Sequence, residues 1–198
     1  MKTRHFMRAF LQGCNKTGRL WLLFFLFLLQ CAGPRIYIQQ NADFTFIKKV
    51  AILSFENLTN DKYAGDKIRD IVTTEVLRRG YFDVVEHGEV NRVLKEEGMN
   101  SATAIGLETA NRIGKKLGIQ GLILGSVEEY GVNQAGGRSS SHVAVSMRLL
   151  AVSSGKILWH VSHNIEGGTV LDRLFGIGSK NVSEISGELV NEMIDTLF

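Results

Sequence analysis

The sequence predicts an α/β sandwich, of two or three layers, built on a mixed sheet in the order β-α-β-α-α-β-β-β-α. Three observations predict it. Up to about residue 120, short apolar runs of strand length alternate with segments of helical apolar period. Beyond that point, alternating runs are joined by turn-forming residues and followed by one last amphipathic helix. A helical segment separates the first two strands, which makes them parallel neighbours, whereas the later three are linked closely enough to be antiparallel.

Each element has its own signal. Val50-Ala51-Ile52-Leu53-Ser54-Phe55 is a continuous apolar run and reads as a buried strand. Asn57 to Asp61 (NLTND) is a loop rich in helix-starting residues. Asp66 to Arg79 places Ile68, Ile71, Val72, Val76 and Leu77 largely on one helical face, and Gly80 stops it. Phe82-Asp83-Val84-Val85 is the next strand. Glu89 to Glu97 is a short helix with Val90, Val93 and Leu94 inward, ended by Gly98. Leu107 to Leu117 is a helix with Ala110, Ile113 and Leu117 along one side and Gly118 past its end. Gly121 to Val127 starts a strand that runs to about Val132, and Gly136 to Ser141 (GGRSSS) is its turn. Val143, Val145, Met147 and Leu149 alternate along the next strand; Ser153-Ser154-Gly155-Lys156 is a tight turn; Ile157, Trp159 and Val161 alternate along the partner. Gly167 to Gly178 is a glycine-punctuated loop. Asn181 to Phe198 is a helix with Val182, Ile185, Leu189, Met193, Ile194 and Leu197 on one side.

Ahead of this domain stands a segment of different character. Lys2, Arg4, Arg8, Lys16 and Arg19 precede an unbroken apolar run of ten residues, Leu20 to Leu29, and Gln30-Cys31 follows. Spanning a bilayer as a helix takes about 20 apolar residues. The run is half that length and fits the apolar core of an export signal. The arrangement is that of a bacterial lipoprotein leader cleaved before a cysteine. Leu28 matches the first lipobox position, while Leu29 and Gln30 depart from the small residues usual there. Leu11-Gln12-Gly13-Cys14 has no apolar run before it. The expected organisation is therefore a signal peptide over 1–30, a tether over 31–46 and an α/β domain over 47–198. Cys31 is the expected lipidation site, its thiol acylated and its chains holding the protein on a membrane. Ala32, not Asp, follows it, and by likeness to enteric sorting rules this favours the periplasmic face of the outer membrane.

Charge and cysteine content exclude several classes. The chain has 23 basic and 20 acidic residues. The first 30 residues hold five of the basic and none of the acidic ones, which leaves 18 against 20, a net of −2. A basic nucleic-acid surface is not implied. The two cysteines, Cys14 and Cys31, lie in or at the end of the leader, so the domain has neither a disulfide framework nor a cysteine metal site. There is no P-loop and no nucleophile elbow. His160 and His163, three apart on a strand, face opposite sides and cannot share a metal. His87 reads as a solvated turn residue, Asp66, Asp70 and Glu75 as the wet face of a helix, and Arg78-Arg79 and Lys115-Lys116 as solvated helix ends favoured by the dipole. Trp159 reads as packed between sheet and helix. No cofactor, metal or catalytic constellation is expected.

Ser54-Phe55-Glu56-Asn57-Leu58-Thr59-Asn60-Asp61 is the most specific internal segment. Asn57 and Thr59 can bond nearby backbone and begin the following helix. The segment resembles the first-strand motif of TolB-N-terminal-like and CsgG-like periplasmic domains. Leu77 to Glu86 (LRRGYFDVVE), Leu94 to Glu97, Gly114 to Gly118, Gly121 to Val127 and Leu149 to Leu158 resemble later segments of the same family in order. Together they cover roughly 48–166 and resemble the CsgG family of curli-assembly components, which includes LpoB-like lipoproteins. The matching residues Phe55, Asn57, Thr59, Asp61, Gly125, Ser126 and Gly155 are expected as structural markers of the fold.

The resemblance implies an envelope protein that works by contact with other envelope proteins, in a homo-oligomeric ring, as a secretion or assembly accessory. The alternatives are an activator of a peptidoglycan synthase, or a periplasmic binder of small ligands or glycans using a cleft by Trp159 and the 130–142 turn. Pore-forming members add long amphipathic hairpins, and a spanning strand needs about 9–11 residues beyond the soluble core. The six residues Gly136–Ser141 and the Gly167–Gly178 loop are too short for that, so a pore of its own is not expected.

Overall fold

In chain order the computed structural model contains β1 (Arg35–Ile38), β2 (Lys49–Ile52), β3 (Glu56–Asn57), α1 (Ala64–Arg79), β4 (Asp83–Val84), α2 (His87–Glu96), α3 (Leu107–Leu117), β5 (Gly121–Ala135), β6 (Arg138–Ala151), β7 (Ile157–Glu166) and α4 (Val182–Asp195). The structure describes residues 33–40, 42–99, 105–135, 138–167 and 180–197. The expected leader, Cys31 and most of the 167–178 loop lie outside them. The chain divides into two units, 1–33 and 34–198, and every element above belongs to the second.

The strands form one sheet in the order β1-β7-β6-β5-β2-β4, with β3 beside β5. β2 is parallel to both β4 and β5, as the intervening helices require. β5, β6, β7 and β1 are successively antiparallel. The sequence of β2 explains its central place. Val50 and Ile52 face the cluster containing α1 and α4, while Ala51 and the following Leu53 face the cluster containing α2 and α3. A strand buried on both faces is apolar throughout. The sheet is thus three-layered around β4, β2 and β5. Toward β7 and β1 it becomes two-layered, with α4 packed on β6 and β7.

The helices end where their sequences stop them. Gly80 and Gly118 adopt φ of +67° and +64°, the left-handed region that closes α1 and α3. α2 begins at Glu86, whose carboxylate accepts from the Glu89 N–H. α4 opens with a capping box, in which Asn181 accepts from Glu184 N–H and Glu184 accepts from Asn181 N–H. Ile185, Leu189, Met193 and Ile194 then bury against Val143, Val145, Met147, Leu149, Trp159 and Val161. Each such apolar side chain contributes about 1.5–3 kcal/mol when fully buried.

Several local expectations need correction. Arg35–Ile38, inside the expected tether, is a strand paired with Ser162 to Trp159. The open edge of β7 supplies backbone partners that a four-residue segment cannot announce by its own period. Glu56–Asn57 is not loop but a short strand parallel to Ser126–Val127. Residues 139–141 belong to β6, paired across to Gln134, Asn133 and Val132. The hairpin is therefore longer than its small polar residues suggest, because pairing with β5 holds Ser139 to Ser141 extended whatever their side chains. Leu77 is 55% exposed and Ile157 39%, so neither joins the core faces assigned to them.

Candidate protein interface

The motif residues gather at one locus, with a single exception. Phe55 leaves β2 buried, and its ring lies over Gly125. A Cβ on Gly125 would stand 2.5 Å from Phe55 Cε1 and closer still to the Ser146 carbonyl oxygen. Gly65 is required in the same way, since a Cβ there would meet the Phe55 carbonyl oxygen at 2.6 Å. Beyond Phe55 the chain folds back on itself. Asn57 Oδ1 accepts from the Thr59 N–H at 3.0 Å and from Thr59 Oγ1 at 2.8 Å, and Asn57 Nδ2 donates to the Asp61 carbonyl at 2.7 Å. Thr59 Oγ1 accepts from the Asp61 N–H at 3.2 Å. Asp61 in turn accepts from Lys67 Nζ and from the Tyr63 N–H, both at 2.9 Å. These bonds, that from Lys67 foremost, hold the Asp61 carboxyl below its ordinary value. Asn57 and Thr59 close the turn, but they do not cap α1, whose N-cap is Tyr63 with no side-chain bond. Ser126 Oγ lies 3.0 Å from Ser146 Oγ on the neighbouring strand. Gly155, at φ +66°, stands apart in the β6–β7 turn against Leu107.

Two other features lie at the opposite edges of the sheet. At one edge β1 presents Ile36, Tyr37 and Ile38 at 50%, 54% and 47% exposure. At the other, where β2 and β4 end, there is a crevice of about 360 Å³ lined by Ile52, Arg69, Leu77, Val84, Glu86 and His87. It lies beyond the carboxyl ends of β2 and β4, beside α1.

Arg69 organises the crevice. Its side chain is 9% exposed and donates to Asp66 and Asp70 at 2.9 Å each, and to His87 Nε2 at 2.8 Å. Asn91 Nδ2 lies 2.8 Å from the same ring nitrogen. Guanidinium only donates, so Nε2 accepts and the imidazole proton sits on Nδ1. Nδ1 is buried and has no partner among the described residues. Burial first, and the Arg69 charge second, depress the His87 pKa. His87 is therefore not a solvated turn residue but the first residue of α2, clamped to α1. No local pattern joins Arg69 to a histidine 18 residues on; only the β-α-β crossover does. Asp66 and Asp70 remain exposed at their tips, whereas Glu75 is drawn onto Arg78 and Arg79. Arg79 is no solvated helix end either. Its side chain is 8% exposed and reaches Asp195 at 2.6 Å and the Asn191 carbonyl at 3.0 Å on α4.

The other residues of interest have structural settings. Trp159 is fully buried and its Nε1–H donates to Thr196 Oγ1 at 3.0 Å, so it offers no ligand platform. Tyr130 and His142 line a separate open cleft with Leu58 and Thr59, without Trp159. His163 joins Glu192 of α4 at 2.8 Å, on the buried face of β7, and His160 lies on the opposite face. Among the described residues there is no group of three His, Cys, Asp or Glu placed to hold a metal. No helix among them is long and apolar enough to cross a membrane.

Comparison with known proteins bears on this arrangement. By sequence, no curated protein matches the chain. Among solved structures it is similar to a PelC dodecamer from Paraburkholderia phytofirmans, at 19% identity over 84% of this chain and 98% of that one, with a TM-score of 0.59. It is similar also to the lipoprotein GNA1162 from Neisseria meningitidis, at 20% identity over 76% of this chain and 97% of that one, TM-score 0.57. A third likeness is to the hypothetical protein CT253 from Chlamydia trachomatis, at 12% identity over 76% and 95%, TM-score 0.51. At such identities the likeness is one of fold. The family model for the curli production assembly/transport component CsgG matches residues 36–196, from β1 to the end of α4, and the chain accordingly belongs to the CsgG family.

Proposed function

We propose that this protein is an envelope accessory of secretion or assembly, lipid-anchored through Cys31 at the periplasmic face of the outer membrane. It acts by protein contact, as a homo-oligomeric ring, without catalysis and without a pore of its own. Membership of the CsgG family is the observation that carries this reading. The similar fold of PelC, solved as a dodecamer, supports the ring. So does the chain itself, which bears unlike surfaces at the two edges of one sheet, the arrangement a head-to-tail contact needs. A lipid confines such a protein to a surface and raises its effective concentration near membrane partners.

Two of the described histidines, His87 and His163, support a non-catalytic role. His87 is tied to Arg69 and His163 to Glu192, and neither is paired with a nucleophile. Native mass spectrometry of the protein extracted from its own membranes in mild detergent tests the reading. The expected species is a closed oligomer of chains starting at residue 31 and carrying acyl mass. A monomer at all concentrations, or a chain that keeps its leader, would overturn it.

A further inference from the structure

We infer that the crevice at the β4 edge receives the β1 edge of a second copy of this chain, head to tail. This rests on the oligomeric reading above and names the surfaces that make it.

Among the described residues the backbone is open at both edges. The Gln39 N–H bonds to the Leu158 carbonyl. In an antiparallel ladder the bonded pairs alternate, so Tyr37 and Arg35 face β7, while the N–H and C=O of Ile36 and Ile38 point out of the sheet. At the far edge Asp83 N–H bonds to Lys48 and Val85 N–H to Val50. By the same alternation, Val84 turns its N–H and C=O outward. An edge with free donors and acceptors is a template for another strand.

Side chains and directions agree with this pairing. Ile36 and Ile38 stand opposite Val161 and Trp159, so they lie on the face of the sheet that carries α1 and α4. They extend that apolar face past the sheet's own edge and are left about half exposed. At the β4 edge the same layer is α1, which offers exposed Leu77 over Val84. A sheet continued in phase from one copy to the next places Ile36 and Ile38 against Leu77. Following the strand directions across the sheet makes β1 antiparallel to the neighbour's β4. Charge agrees as well. Arg35 flanks the isoleucines, the crevice carries carboxylates at Asp70 and Glu86, and Asp83 stands exposed beside it on β4. The two surfaces differ, so neither pairs with its own copy, and the repeated contact closes a ring or runs on.

The test uses the lipidated chain in detergent with two variants, Ile36→Asp and Leu77→Asp. Each alters a half-exposed side chain and spoils one of the two surfaces. Each variant alone is expected to lose the oligomer and run as a monomer. Mixed in equal amounts they are expected to form one-to-one heterodimers and nothing larger, because only one sound pair of surfaces remains between them. If either variant melts more than a few degrees below the wild type, Tyr37→Lys or Asp83→Lys takes its place on the same surface. A wild-type oligomer that persists in both variants overturns this docking and leaves the crevice to a ligand or another protein, while the oligomeric reading stands. A mixture that stays monomeric also overturns it. A monomeric wild type removes the oligomeric reading itself.

Discussion

Gly125 shows how much of this fold rests on single residues. It sits in β5 where Phe55 and the Ser146 carbonyl crowd the space a side chain would occupy. Gly125→Ala forces one of them to move, and urea unfolding is expected to show a loss of about 1–3 kcal/mol. Unchanged stability would mean that the Phe55 ring has room to yield. His87 carries a prediction of pH dependence. Its pKa in the folded chain lies below its ordinary value, because burial and the Arg69 charge disfavour the imidazolium. The unfolded chain therefore takes up this proton first as pH falls below about 6.5. Folded stability should decline from there until the folded pKa is passed, then level as far as this group is concerned. His87→Gln should flatten the stability curve in that window while leaving a second decline below about pH 4. That lower decline belongs to Asp61, Glu96 and Glu97, whose carboxyls ion pairs hold below their ordinary values. An unaltered slope between pH 6.5 and 5 in the variant would show that His87 does not set it.

At the scale of elements, the contact between α1 and α4 is held by more than apolar packing. Arg79 leaves the end of α1 and bonds both Asp195 and the Asn191 carbonyl of α4. The Asp195 end is exposed, so the ion pair as such adds little. The buried stem and the bonds to Asn191 add more, and Arg79→Ala is expected to cost about 2 kcal/mol. At the other end of α4 the capping box predicts a smaller effect. Asn181→Ala frees the Glu184 N–H and should cost about 1 kcal/mol, read from the denaturation midpoint. These elements were legible to different degrees. The four described helices follow from apolar period and glycine stops, so their inward faces can be named from the sequence within a residue or two. The strands β1 and β3 could not be read, since two to four residues carry no period and are strands only because β7 and β5 lie beside them.

The whole molecule combines an anchor proposed from the sequence with a surface formed only by the fold. Where the leader is still removed, Cys31→Ser is expected to move the protein from the detergent-rich to the aqueous phase on phase partitioning. A variant that still partitions with membranes would place the attachment in the domain. Cys31 lies only four residues before β1, and a chain reaches at most about 3.6 Å per residue. The expected tether is thus short. The mixed sheet, its parallel centre and the antiparallel flank were present in the order and spacing of apolar residues, because burial selects side chains by period and period is a local property, while the CsgG resemblance was carried by motif segments such as Ser54 to Asp61. The opposition of β1 to the β4 crevice, the clamp of Arg69 on His87 and the burial of Arg79 were decided only in three dimensions. Each depends on which distant backbone edge or charged group the folded sheet brings alongside, and neither edge pairing nor long-range ion pairing leaves a periodic trace in the chain.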